Sequence, residues 1–162
     1  MKDNSVKMEF WAQHQEKVFS KNQIKMKGRG GKVTIALMAD DSKKELMVQF
    51  CTAYCRILSQ HRLIATGITG RMISEATGLK VEQVLSGRQG GDQQLESRIA
   101  CNEIDMVLAF RDPLKESSQG IVGLLRICDV HTIPIATNVA SAEVLIHGLE
   151  RGDLAWRELL HS

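Results

Sequence analysis

The run Val33-Thr-Ile-Ala-Leu-Met-Ala39 decides the fold class of this chain. Its residues are almost all apolar and do not alternate with polar ones, which indicates a strand that is covered on both faces. An amphipathic stretch from Lys44 to Leu58 follows and predicts a helix. The order of strand, polar turn and helix is typical of a parallel sheet, because parallel strands need a crossover connection between them.

The alternation of strand and helix continues along the chain. Further apolar runs predict strands at residues 63–66, 81–85, 106–110 and 133–136. The segments between and after them predict a helix that ends at 76 and helices over 91–102, 122–128 and 141–149. We therefore expect a doubly wound α/β fold, with a mainly five-stranded parallel sheet and helices on both faces. Folds of this class bind ligands in the crevice at the carboxyl ends of their strands.

The composition is that of one globular domain. The chain has 162 residues and a mass of 18.0 kDa, with 43% hydrophobic and 25% charged residues. These values exclude a disordered chain, a collagen-like fibre and a coiled-coil rod. No run approaches the ~18 apolar residues of a membrane span, and the first residues lack the apolar core of a secretory signal. We expect a cytoplasmic protein that does not enter a membrane.

Positive charge is concentrated at the beginning of the chain. Residues 1–32 hold eight Lys and Arg against three Asp and Glu, although the net charge of the whole chain is only +2. Glycines at 28, 30 and 31 predict a flexible boundary. The sequence thus predicts a basic N-terminal extension with a glycine-rich joint over residues 1–31 and a folded domain over 32–162. A solvated extension is favoured over a nucleic-acid-binding arm, because basic and aromatic residues are not interleaved.

Cysteine and histidine are not spaced for a metal site. The four cysteines, at 51, 55, 101 and 128, form no C-x-x-C pair, and none of the five histidines lies in a turn that follows a predicted strand. The pattern predicts buried free thiols and no bound metal.

Polar, glycine-rich turns follow consecutive predicted strands and should meet at one edge of the sheet. The turns Thr66-Gly67-Ile68-Thr69-Gly70 and Ser86-Gly87 can offer backbone amides and hydroxyls to an anion, with Lys44 as a nearby cation. Each turn alone is explained as well by helix capping. Their occurrence at successive strand ends favours a phosphate site.

Carboxylates lie at the same edge as the predicted phosphate site. Asp92 follows Gly90-Gly91 and opens a predicted helix, where it is a candidate general base or simply an N-cap. Asp40, Asp41 and Asp112 also follow predicted strands. If Asp40 and Asp41 both faced inward, their repulsion would favour one of them staying protonated, but one of two adjacent residues more often points to solvent.

Taken together, these motifs resemble the methylglyoxal synthase family, lyases that convert dihydroxyacetone phosphate to methylglyoxal and inorganic phosphate. The resemblance covers about residues 33–160. It is carried by Ile35-Ala-Leu-Met-Ala39 with Asp41 and Lys44, by Ala65-Thr-Gly-Ile-Thr-Gly70, Glu75-Ala-Thr-Gly-Leu79, Leu85-Ser-Gly87, Gly90-Gly-Asp-Gln-Gln94, Arg111-Asp-Pro-Leu114 and Ile133-Pro-Ile-Ala-Thr-Asn138.

The resemblance implies a role for each site residue. Asp92 would be the catalytic base that removes a carbon-bound proton, with Asp41 and Asp112 supporting the site. No metal or organic cofactor is implied. The expected partners are a small phosphorylated substrate and further copies of this chain, because the family is typically homohexameric. The substrate phosphate would be held by Lys44, Thr66, Thr69, Ser86 and Gly87.

The chain also departs from the family pattern. Asp40 stands where the family has a histidine, Ile68 replaces a threonine and Arg88 replaces a proline. Residues 115–121 form a shorter segment without the family's histidine and aspartate. Three interpretations stay open at this point. Asp40, Glu116 or Arg88 substitutes for the missing groups; or the chain is a related lyase for another phosphorylated substrate; or it is a non-catalytic protein that binds a phosphorylated metabolite or serves in an assembly.

Overall fold

The computed structural model describes residues 4–10, 32–116 and 119–160. Five strands form one parallel sheet in the spatial order β3-β2-β1-β4-β5. This arrangement confirms the predicted doubly wound fold with a five-stranded parallel sheet. The strands are β1 (Thr34–Ala39), β2 (Arg62–Thr66), β3 (Val81–Val84), β4 (Met106–Phe110) and β5 (Ile135–Ala136).

Helices connect these strands, much as predicted. The predicted helix from Lys44 to Leu58 is divided at Tyr54, whose φ of −106° and ψ of 21° leave the helical range. The helices are α1 (Lys44–Ala53), α2 (Cys55–Leu58), α3 (Gly67–Thr77), α4 (Gly91–Ala100), α5 (Gln119–Val130) and α6 (Val139–Arg151), with 3₁₀ turns at Asp41–Lys43, Gly87–Gln89 and Ala155–Leu160.

The side chains of the central strands alternate between two apolar layers. Ile35 and Leu37 of β1 belong to the layer that includes residues of α1, α3 and α6. Ala36 and Met38 belong to the opposite layer, with residues of α4 and α5. Because both faces of the sheet are covered, the run from residue 33 to 39 is apolar at every position but one.

The order of the strands reverses at β1. From β1 the chain proceeds outward to β2 and β3 on one side, and then to β4 and β5 on the other. The connections that follow β1 and β4 therefore run in opposite directions and leave a crevice at the carboxyl ends of these strands. The predicted site residues were expected to meet at this edge.

A buried ion pair closes the opposite, amino-terminal edge of the sheet. Arg157 Nε donates to Asp105 Oδ1 at 2.9 Å, and Arg157 Nη2 donates to Asn102 Oδ1 at 3.0 Å. Asp105 Oδ2 accepts the Thr34 amide at 2.9 Å. Both charged side chains are almost completely buried. The network fastens the C-terminal segment to the start of β1.

The beginning of the chain is described only in part. Residues 4–10 are helical, and the Lys7 ammonium lies 5.4 Å from the centroid of the Trp156 ring. The glycine-rich joint lies outside the described residues, so the division into an extension and a domain stays a prediction. Among the helices that the structure describes, none is long and apolar enough to cross a membrane.

All four cysteines are free thiols, but the prediction that they are buried is correct only for Cys51 and Cys128, since Cys55 is half-buried and Cys101 is exposed. Burial raises the pKa of Cys51 to about 12 and that of Cys128 to about 12. Over residues 4–10, 32–116 and 119–160, no cluster of His, Cys, Asp and Glu is arranged to hold a metal ion.

Candidate active site

A cleft of about 470 Å³ lies at the carboxyl ends of β1, β2 and β3. Most of the predicted site residues meet there, from three segments that are distant in sequence. The lining residues are Met38, Ala39, Asp40, Asp41, Lys44, Thr66, Ile68, Ser86, Gly87, Arg88, Asp92, Lys115 and Ile121.

Lys44 joins the end of β1 to the beginning of α3. Its Nζ donates to the Ala39 carbonyl at 2.8 Å and to Thr69 Oγ1 at 3.3 Å, and it lies 3.5 Å from Asp41 Oδ1. The Lys44 side chain is only 16% exposed, so solvent screens its charge less than that of a surface lysine. Thr69 is buried and is not itself among the described lining residues, but it holds this cation in place.

The first turn of α3 provides the second part of the cleft. Thr66 is the N-cap residue and is buried, and Ile68 extends into the cleft wall. The first amides of a helix lack helical partners and attract anions. The Gly67 amide donates to the Leu85 carbonyl at 3.4 Å, which connects this turn to the turn that follows β3.

The turn after β3 depends on two glycines and one glutamine. Gly90 has a φ of +99°, which favours glycine, and a Cβ on Gly91 would overlap the Leu85 carbonyl. Gln94 Oε1 accepts the Leu85 amide at 2.8 Å. These residues of the Gly-Gly-Asp-Gln-Gln motif therefore shape the turn that presents Ser86 and Gly87 to the cleft.

Asp92 is the second residue of α4 and is half-buried in the cleft wall. Burial raises the pKa of its carboxyl, and the nearby Asp40 carboxylate raises it further, while Lys44 opposes both effects. A carboxyl group with a raised pKa in a cleft is suited to take up a proton.

Asp40 and Asp41 face different surroundings. The Asp40 amide donates to the Phe110 carbonyl at 2.9 Å, and Asp40 Oδ2 accepts the Asp112 amide at 2.7 Å, so this residue connects the ends of β1 and β4. Asp41 is largely exposed and lies 3.6 Å from Arg88 Nη2. Asp41 is thus the one that faces the solvent, which agrees with the expectation that one of the two adjacent residues points to solvent.

Asp112 is used in the turn after β4. Its carboxylate accepts the Leu114 amide at 3.0 Å and the Ser42 hydroxyl at 2.8 Å, and these two hydrogen bonds lower its pKa. Among the described residues that line the cleft, Asp112 does not appear. Its connection to the cleft is the hydrogen bond that its backbone amide donates to Asp40, and its supporting role stays a prediction.

The sequence and the fold of this chain have counterparts in known proteins. A family profile described as "MGS-like domain" matches residues 46–137, which is more than half of the chain. The chain belongs to the MGS-like family.

Relatives and a solved structure agree with this assignment. The methylglyoxal synthase of Caldicellulosiruptor saccharolyticus is 59% identical over 131 residues, which are 80% of this chain and 93% of that protein. The methylglyoxal synthase of Oceanobacillus iheyensis is 55% identical over 130 residues, 79% and 93% of the two chains. The crystal structure of methylglyoxal synthase from Elizabethkingia anophelis NUHP1 superimposes with a TM-score of 0.65 at 40% identity, covering 71% of this chain and 77% of that chain. The predicted resemblance to methylglyoxal synthases is confirmed.

Two lining residues of this MGS-like domain come after β4 and were not among the predicted site residues. Lys115 follows the Asp-Pro-Leu turn after β4, and its position after a strand could have indicated it. Ile121 belongs to the first turn of α5, which begins at Gln119 rather than at the predicted Val122. Glycines at 120 and 123 conceal this helix start, because glycine is a poor helix former.

Proposed function

We propose that this protein is a carbon–oxygen lyase that eliminates phosphate from dihydroxyacetone phosphate and forms methylglyoxal. The observation that carries the proposal is the position of Asp92, whose carboxyl has a raised pKa and lines the same cleft as Lys44 and the start of α3. A base and a phosphate site are thereby within one small cleft. The name methylglyoxal synthase, borne by relatives at 55–59% identity, supports the choice of substrate.

The phosphate of the substrate would bind where the charge of Lys44 and the start of α3 meet in the cleft. Lys44, Thr66, Ser86 and Gly87 all line the cleft, and Thr69 acts through its hydrogen bond from Lys44. Donors at a helix start stabilise a phosphate both as a bound group and as a leaving group.

The reaction needs one base that later acts as an acid. Asp92 removes a proton from the hydroxymethyl carbon beside the carbonyl, and the electron pair forms an enediolate. The enediolate then expels phosphate, as the carbon–oxygen bond breaks and the remaining hydroxyl proton is lost to the departing phosphate. The resulting enolate takes the proton from Asp92 at its methylene carbon and becomes methylglyoxal. Asp41 and Asp112 support the site, since Asp41 pairs with Lys44 and Asp112 binds Asp40.

A second candidate is a related lyase for a substrate with an additional anionic group. Arg88 favours it, because its guanidinium lies at the cleft and its side chain is 90% exposed. Its ion pair with the exposed Asp41, at 3.6 Å, is the one found among the described residues. Such a surface pair contributes little and can be exchanged for a ligand. For the first function, the candidates for a substituted acid–base group are Asp40, Arg88 and Glu116. Asp40 and Arg88 line this cleft, and Glu116 is not among its described lining residues.

The test is a phosphate-release assay with dihydroxyacetone phosphate, coupled to direct detection of methylglyoxal, with Asp92→Asn as the matched variant. We expect equal amounts of phosphate and methylglyoxal from the natural protein and a large loss in the variant. Phosphate release only from a substrate with a second anionic group would support the second candidate. If the folded protein binds inorganic phosphate but releases phosphate from none of the substrates, it is the non-catalytic protein of the third interpretation.

The proposal includes a cytoplasmic homohexamer. It is supported by the family resemblance and by large apolar side chains on the surface, among them Leu114 at 94% and Val144 at 68% exposure, since exposed apolar area favours assembly. Light scattering on the purified protein should give about six times the 18.0 kDa of one chain. The mass of a single chain would contradict this part of the proposal.

A further inference from the structure

The carboxyl group of Asp92 lies between the backbones of two glycines. A Cβ on Gly87 would come within 3.2 Å of Asp92 Oδ1, and a Cβ on Gly120 would overlap Asp92 Oδ2 and the adjoining carbon. Gly87 belongs to the turn after β3, whereas Gly120 lies in the first turn of α5. The space that a side chain at residue 120 would fill is thus occupied by the carboxyl group of the candidate base.

The packing of α4 against α5 sets this contact. Leu95 and Ile99 of α4 and Ile121 and Leu124 of α5 are buried in one apolar cluster, which fixes the relative position of the two helices. The contact repeats one turn further along, where a Cβ on Gly123 would overlap the Glu96 carboxyl.

We propose that Gly120 is a positioning residue for Asp92, because its missing side chain lets α5 approach α4 and hold the carboxyl group against the cleft. The inference rests on the proposed lyase function, in which Asp92 is the base. A proton transfer requires the base within hydrogen-bond reach of the substrate carbon, and a misplacement of about 1 Å costs about 10²-fold in rate. The phosphate ligands belong to α1, α3 and the turn after β3, so the effect on phosphate binding should be small.

Gly120→Ala and Gly123→Ala are a matched pair for the test. Both changes put the same methyl group on the same helix, but only the first one meets Asp92. For Gly120→Ala we expect kcat to fall about 10²-fold, with the affinity for inorganic phosphate unchanged. For Gly123→Ala, which displaces Glu96, we expect kcat within a few-fold of the natural protein. Equal kcat values for the two variants would overturn the proposal.

A double-mutant cycle on thermal unfolding tests the same contact without turnover. Gly120→Ala should lower Tm when Asp92 is present, and raise Tm by a few degrees in an Asp92→Ala background, where the methyl group has room. Additive Tm shifts would show that the two residues do not compete for space and would overturn the proposal. If the Tm shifts are coupled but the natural protein has no activity on dihydroxyacetone phosphate, the lyase function is refuted. The contact between residues 120 and 92 is then still supported. Coupled shifts with undiminished kcat in Gly120→Ala would refute the positioning role.

Discussion

Asp92 and Asp105 are carboxylates at opposite edges of the same sheet, and their surroundings are opposite in kind. Asp105 is almost completely buried, with Arg157 at 2.9 Å on one oxygen and the Thr34 amide at 2.9 Å on the other. Asp92 is half-buried between two glycines, near a second carboxylate and a lysine that act on its pKa in opposite directions.

The difference separates a carboxylate that holds the fold together from one that can do chemistry. A buried ion pair is needed by the fold once it is present, because removing one partner leaves the charge of the other buried and uncompensated. A partly buried carboxyl that is disfavoured as an anion readily takes up a proton. The same residue type therefore serves structure at the amino ends of the strands and, in our proposal, catalysis at their carboxyl ends.

The contrast should be strongest in the effect of Asp92→Asn. We expect turnover to fall by about 10²–10⁴-fold, since an amide cannot act as the base. Stability at neutral pH should not fall. Because the pKa of Asp92 is raised, the folded state keeps the carboxyl proton to higher pH than the unfolded chain does. Above the unfolded pKa, ionisation of Asp92 therefore lowers the free energy of unfolding. Asparagine does not ionise and removes this loss of stability. Initial rates and urea unfolding at pH 7 measure both quantities. A lower urea midpoint with normal turnover would make Asp92 a structural residue like Asp105.

Arg157→Met should give the reverse result. Removal of the guanidinium leaves Asp105 buried without its cation, which we expect to cost about 3–5 kcal/mol in the free energy of unfolding. The turnover of the fraction that remains folded should be unchanged, because the ion pair lies at the edge away from the cleft. Urea unfolding of Arg157→Met and of Arg157→Met/Asp105→Asn checks this. If the second change recovers none of the loss, the uncompensated charge is not its cause.

Lys44→Met should weaken phosphate binding without a comparable loss of stability. Hydrogen bonds to a charged group contribute about 1.5–3 kcal/mol, which corresponds to a roughly 10–100-fold weaker affinity for inorganic phosphate. Calorimetric titration measures this, and Lys43→Met is the control, because the neighbouring lysine does not line this cleft. Similar losses in both variants would indicate a general effect of net charge.

The pH dependence of kcat/KM should respond to the two charges that act on Asp92. Asp92 must be ionised to act as the base, so activity rises as the pH increases through its pKa. Asp40→Asn removes a charge that raises this pKa and should move the acidic limb to lower pH, whereas Lys44→Met should move it to higher pH. Asparagine at residue 40 keeps a carbonyl oxygen for the Asp112 amide. Shifts of the same sign in both variants would exclude Asp92 as the group that titrates.

Arg88→Gln should have the smallest effect. Its ion pair with Asp41 is exposed and 3.6 Å long, and pairs of this kind contribute about 0–1 kcal/mol. We expect an almost unchanged Tm and a change in kcat/KM for dihydroxyacetone phosphate of less than about tenfold. A larger loss would place Arg88 in contact with the substrate and favour the second candidate function.

The sequence predicts the strands well, but it predicts the starts of α5 and α6 two to three residues too late. β4 was predicted at its observed bounds, because a strand covered on both faces is a continuous apolar run. The start of α5 was placed at Val122, since the glycines at 120 and 123 lack the side chains that reveal a helical period. The tertiary structure shows why glycine suits these positions, because a Cβ at residue 120 or 123 would overlap the carboxyl group of Asp92 or Glu96 on the neighbouring helix.

The sequence by itself determined the fold class, the edge of the sheet at which polar residues gather, and the motifs that identify the family. These properties depend on local patterns of residues, and apolar runs and glycine-rich turns can be recognised in the sequence without knowing the fold. Only the tertiary structure decided which carboxylates share the cleft, and that Asp40 connects two strands while Asp112 serves a turn. The pKa of Asp92 depends on its burial and on charges at residues 40 and 44, and such distances exist only once the chain has folded.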